Sequence, residues 1–122
     1  MSLIPKDKER EHRLDYEVVV DAYDSEERAM GWFYYLAEQC EFPFQARCIE
    51  ERSISPLVVD EEVKVISEAP AEECEKELFV EVQWKDRQLA VPLSQLSVVE
   101  ASSTSRQIVE DWQYWVQQGY EY

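Results

Sequence analysis

Histidine occurs once, at His12, and glycine only twice, at Gly31 and Gly119. A lone histidine leaves no Ser–His or Cys–His pair for nucleophilic catalysis, and it removes most zinc sites. Two isolated glycines supply no loop that could cradle a phosphate. The cysteines, Cys40, Cys48 and Cys74, are odd in number and lack CxxC spacing, so buried or idle thiols are expected. Positive charge is scarce as well: 12 Lys and Arg stand against 27 Asp and Glu, a formal net charge of −15. Such a field repels nucleic acid and anionic membrane and attracts cations and basic proteins. No apolar run approaches the roughly 20 residues of a membrane span. The start, Met1-Ser2-Leu3-Ile4-Pro5-Lys6-Asp7-Lys8, has no apolar stretch of the kind a secretory leader carries, so the expected compartment is cytoplasmic. Paired carboxylates can run acid–base chemistry, but nothing in the pattern places two of them in a cleft, and no enzyme is expected.

What is present suits a folded domain. The chain has 122 residues, 45% of them hydrophobic and 12% aromatic, which is expected to form one domain over 1–122 with a real core. Residues 1–14 are polar and mixed in charge and read as a poorly ordered start, with a short helix as the alternative. Residues 15–45 read as helical. Tyr16, Val19, Val20 and Tyr23 fit a helical spacing, with a short strand through Val18-Val19-Val20 as the rival. Asp24 with Glu27 three residues on has the spacing of a capping box, and Met30, Phe33, Leu36, Ala37 and Cys40 recur at helical spacing until Phe42-Pro43-Phe44 ends the run.

From residue 46 to 100 the periodicity changes to two. Ala46–Glu51 alternates loosely, and Glu61–Ile66 reads as a strand. Leu78, Val80, Val82 and Trp84 alternate cleanly with their neighbours. Lys85-Asp86-Arg87 suits a hairpin turn, Leu89, Val91 and Leu93 return, and Val98-Val99 closes the set. Ser102-Ser103-Thr104-Ser105 supplies a cap for a last helix over 103–119, with Ile108, Val109, Trp112, Trp115 and Val116 as its apolar stripe and Gly119 as its stop. The fold class expected is α+β: about five short antiparallel strands flanked by helices.

The acids carry the functional signal. From Asp60 to Glu77 there are eight acids against two bases, Lys64 and Lys76. A solvated acidic loop is the plain reading of that run. A second group sharpens it: Glu38 and Glu41 fall at the end of the Asp24–Cys40 helix, where the dipole and each other disfavour them by roughly 0.3–1 kcal/mol each. A hard cation reverses that sign, and the helix end also offers carbonyls without intrahelical partners. Ca²⁺ takes six to eight oxygens in loose geometry, whereas Mg²⁺ demands a stricter octahedron, so Ca²⁺ suits such acids better. Asp60 joins the candidates as an acid at a turn before a strand. No EF-hand loop of the form D-x-[DN]-x-[DN]-G exists, so any such site is of another kind.

Several stretches resemble one family. Ala29-Met30-Gly31-Trp32-Phe33-Tyr34-Tyr35-Leu36 and Glu41-Phe42-Pro43-Phe44-Gln45-Ala46-Arg47-Cys48 are similar to the cyanobacterial calcium-binding protein CcbP family and its bacterial relatives. So are Ser55-Pro56-Leu57, Glu72-Glu73-Cys74-Glu75, Leu89-Ala90-Val91-Pro92-Leu93-Ser94-Gln95-Leu96 and Val109-Glu110-Asp111-Trp112-Gln113-Tyr114-Trp115. The resemblance runs in colinear order over about residues 15–120. It implies an intracellular Ca²⁺-binding protein without EF-hands, a buffer or sensor of the free ion in cells that differentiate heterocysts, and a small SH3-like β-barrel flanked by helices. It carries over Glu72, Glu73 and Glu75 as metal ligands. Relatives have an acidic pair directly after the Tyr-Leu of the first motif; here that pair reads Ala37-Glu38, which keeps one carboxylate. The expected ligands are thus Glu38, Glu41, Asp60, Glu72, Glu73 and Glu75, and the expected partner is the calcium ion. The rival reading is an acidic protein–protein interaction module with incidental cation binding, for which Trp32-Phe33-Tyr34-Tyr35 would provide an aromatic surface.

Overall fold

The structure, a computed structural model, describes residues 6–20, 22–120 and 122. A first helix, α1 (Lys8–Arg13), continues into a π-helical turn, Leu14–Val18. Of the two readings of residues 1–14, a poorly ordered start or a short helix, the helix holds over residues 8–13; residues 1–5 of that stretch lie outside the described residues. The periodicity of 15–23 points to the wrong face. Tyr16, Val20 and Tyr23 are exposed to solvent, while Leu14 and Val18, four apart, are buried. Burial of one turn against the next helix decides the face here, and a run of three valines does not identify which one is covered.

Helix α2 (Ser25–Gln39) starts where expected, with the backbone N–H of Glu27 donating to the Asp24 side chain at 2.9 Å. Its buried residues are Trp32, Tyr35 and Leu36, and Met30 is about half exposed. Gly31 is required on this helix by a close approach: a Cβ there would stand 2.3 Å from the carbonyl oxygen of Val18. The Phe42–Pro43 bond is cis, and the chain enters the sheet directly after it.

Five strands follow: β1 (Phe44–Cys48), β2 (Glu62–Glu68), β3 (Phe79–Trp84), β4 (Arg87–Pro92) and β5 (Leu96–Glu100). They form one antiparallel sheet in the order β4-β3-β2-β1-β5. Alternation does what the sequence predicts: Val80 and Val82 are fully buried, as is Leu78 just before β3. The β3–β4 hairpin turns on Lys85-Asp86, with Trp84 opposite Arg87 and Lys85 in the left-handed region at φ 57°. Strands β4 and β5 are the two edges, and no ladder joins them among the described residues, so the sheet is open where the resemblance implied a closed barrel. Pro92 has no N–H to donate, and a 3₁₀ turn, Leu93–Gln95, carries the chain across to the far edge.

Helix α3 (Ser103–Gln117) is capped by Ser102, whose hydroxyl accepts from Ser105 N at 3.1 Å, and Gly119 follows it at φ 80°. Ile108, Val109, Trp112 and Trp115 are buried as expected, whereas Val116 is exposed. Trp112 and Trp115 meet Trp32 of α2 edge-on, at ring-centroid distances of 5.0 and 5.5 Å. Edge-to-face pairs of this kind add about 0.5–1.5 kcal/mol each beyond area burial, which locks α2 to α3.

Candidate metal-binding face

Antiparallel pairing fixes where the acids lie. Phe44 opens β1 opposite Val65 of β2, and Arg47 pairs with Glu62. The end of α2 therefore enters the sheet at the same end at which β2 leaves it through Glu68. The connection that follows β2 holds a 3₁₀ turn, Ala71–Cys74, and carries Glu72, Glu73 and Glu75. Glu38 and Glu41 share this end of the sheet with the connection. Asp60 does not. Its N–H donates to the carbonyl of Cys48, at the far end of β1, with a bond of 2.8 Å. It adopts the left-handed conformation, φ 73°, in the turn before β2. Strand residues rise about 3.3 Å each, which puts the two ends of β1 more than about 10 Å apart.

The local anchoring is specific. Glu41 N–H donates to Ser105 Oγ at 2.7 Å, and the same hydroxyl donates back to the Glu41 carbonyl at 3.2 Å. Ser105 is fully buried, so the end of α2 is fastened to the first turn of α3. Of the carbonyls near that helix end, which the sequence leaves open to a cation, the one on Leu36 is taken: it accepts from Cys40 N at 3.2 Å. The connection packs on the first half of α2: Glu72, Cys74 and Glu75 share a groove with Ser25, Glu26 and Ala29. Glu38 sits four residues beyond Tyr34, the last α2 residue of that groove, about 6 Å further along the helix.

The cysteines report the local field. Burial pushes the Cys40 thiol up, and the negative charges of Glu41 and Glu68 push in the same direction. Burial likewise raises Cys74, with Glu73 and Glu68 adding to it. Glu68, the last residue of β2, therefore acts on both thiols. The sequence shows it among the local acids without marking it out; its position as the last residue of β2 is the available signal. At the opposite end, burial raises Cys48, and Glu61, Glu51 and Glu50 contribute. Asp60 belongs to that second acidic face.

All six expected ligands are exposed. None of the six carboxylates makes an ion pair with a described residue, whereas other acids of the same segments are occupied. Glu77 takes both guanidinium nitrogens of Arg52, at 2.6 and 3.0 Å, and Glu61 accepts from the Trp84 indole at 2.9 Å. The donor chemistry, carboxylate oxygens without bound protein cations, fits a hard divalent ion. Among the described residues no three His, Cys, Asp or Glu side chains form a group able to hold a metal.

The pattern of a family described as calcium binding, CcbP, matches residues 12–116. The chain belongs to the CcbP calcium-binding family. The crystal structure of Anabaena CcbP superposes with a TM-score of 0.88 at 36% identity, over 100% of both chains. A calcium-binding protein in its calcium-binding form does so with a TM-score of 0.88 at 35% identity, again over 100% of both. No curated protein matches the sequence. CcbP membership bears out the resemblance read from the motifs and gives Ca²⁺ as the cofactor; the family is one of calcium binding, not of enzymes. No helix among the described residues is long and apolar enough to cross a membrane.

Proposed function

We propose that this chain is a single-domain intracellular Ca²⁺ buffer or sensor without EF-hands, which binds the ion through exposed acids. Its main site would use Glu38, Glu41, Glu72, Glu73 and Glu75 at the sheet end where α2 stops and the connection begins, with Glu68 between them. Asp60 would belong to a weaker site at the opposite end. What supports this reading is the set of exposed carboxylates without ion pairs to described residues, carried by the end of α2 and the connection after β2, in a chain of a calcium-binding family. The strand order, with β5 beside β1, supports an SH3-like curl of the sheet. Ligands drawn from exposed side chains place the affinity nearer the micromolar-to-millimolar part of the Ca²⁺ range than the nanomolar part.

Calorimetry tests this at moderate salt. One or two saturable Ca²⁺ sites are expected, together with a Ca²⁺-induced rise in melting temperature. A ligand at a hundredfold excess over Kd stabilises by about 2.7 kcal/mol. Equal shifts from Ca²⁺, Mg²⁺ and Na⁺ at matched ionic strength would mean charge screening alone.

A further inference from the structure

The groove between α2 and the acidic connection has an apolar surface that Ca²⁺ does not use. It encloses about 540 Å³. Ala29, Met30, Phe33 and Tyr34 of α2 provide its apolar surface, and Met30 and Tyr34 are each 48% exposed. Glu26, Glu72 and Glu75 stand around that surface. Phe33 also borders a second depression of about 540 Å³, which Glu68 and Glu81 flank. Phe33 lines both depressions, so the two adjoin there as a divided trough, apolar along α2, with five carboxylates in the two linings. Among the described residues no lysine or arginine lines either part.

We propose that this trough docks a basic amphipathic helix of a partner protein. Apolar residues three and four apart on that helix would seat on Met30, Phe33 and Tyr34, as helix-in-groove recognition requires. Its Lys and Arg side chains would meet the carboxylates on both flanks. Methionine with its flexible thioether adapts to varied apolar anchors. Charge complementarity selects the occupant: a second copy of this chain would bring its own net charge of −15 against the same acids, and an anionic membrane would be repelled.

The test uses an amphipathic Leu/Lys helical peptide of about five turns and a second peptide of the same composition in scrambled order. Binding is read by fluorescence anisotropy at physiological ionic strength with a chelator present. The amphipathic peptide is expected to bind more tightly than the scrambled one, and Met30→Ser and Tyr34→Ser are each expected to weaken it by about tenfold. Amide shift mapping on the unmodified protein tests the same surface without any variant: the largest changes are expected within Ala29–Tyr34. Equal binding of both peptides, unchanged binding by both variants, largest shifts elsewhere, or a stable dimer that the same substitutions dissolve would each overturn the proposal. Calcium titration of the two variants should match the unmodified protein, so failure of the docking trough and failure of the Ca²⁺ reading are told apart.

Discussion

Arg13 grips Asp111 with two bonds, Nε to Oδ2 at 2.9 Å and Nη2 to Oδ1 at 2.7 Å, and the carboxylate it holds is fully buried. Arg10 adds a bond of 2.9 Å and the Tyr35 hydroxyl one of 2.7 Å. Two oxygens thus accept four donors, and α1, α2 and α3 meet on one side chain. The carboxylate beside it pushes the Arg13 guanidinium further up. Buried ion pairs are weak evidence of net stabilisation, but removing one partner strands the other charges, at a cost of about 3–5 kcal/mol. Asp111→Asn is therefore expected to lower unfolding free energy by that amount in urea titrations.

Gly31→Ala should destabilise, although alanine ordinarily favours a helix by about 1 kcal/mol over glycine. The added carbon would stand 2.3 Å from the Val18 carbonyl oxygen, and both sides of that contact are backbone. Neither can swing aside, so the π-helical turn must move off α2, at about 1–3 kcal/mol. Thermal melts decide it: a lowered melting temperature is expected, and an unchanged or raised one contradicts the close approach.

Alkali should unfold the chain between about pH 10 and 12. Burial pushes the Tyr35 phenol up to about 12, helped by its bond to Asp111. Burial does the same for Tyr114, to about 12, with Glu11 adding to it. A folded pKa above the unfolded value means that this contribution to stability is intact below about pH 10 and is lost as pH rises toward about 12. Tyrosinate absorbance should rise in step with loss of helical circular dichroism. Ionisation of all tyrosines near about pH 10 with the fold retained would contradict it.

Much of the fold was legible because its signals are local. Asp24 and Ser102 cap helices by contacts three residues long, and Val80 and Val82 announce a buried strand face by alternation. Burial of Asp111 was not legible: an acid between Glu110 and Trp112 reads as surface until Arg10 and Arg13, far away in sequence, fold over it. The same distance left residues 8–13 open between a frayed start and a short helix, since the contacts of Arg10 and Arg13 that fix the helix are made to Asp111. Edge closure was beyond reach too, since strand count does not say whether β4 and β5 pair. Of the candidate ligands, Asp60 falls with Glu72 and Glu73 by proximity along the chain, and antiparallel pairing places it at the other end of the sheet.

That separation has a measurable consequence. Glu38→Gln and Glu73→Gln should each weaken Ca²⁺ binding severalfold, and their effects should be non-additive, because the acids share one end of the sheet. Asp60→Asn combined with Glu73→Gln should add, since the two ends lie more than about 10 Å apart. Calorimetric titration of the single and double variants reads both couplings. No loss at Glu38→Gln would mean that the alanine at position 37 leaves that position too poor in charge to contribute.

The most direct measurement is anomalous diffraction from a Ca²⁺-soaked crystal. The expected map has its strongest peak among Glu41, Glu68 and Glu73, between the end of α2 and the connection after β2, with a weaker peak beside Asp60. A strongest peak beside Asp60, or no peak at either end of the sheet at millimolar Ca²⁺, would contradict the proposed site.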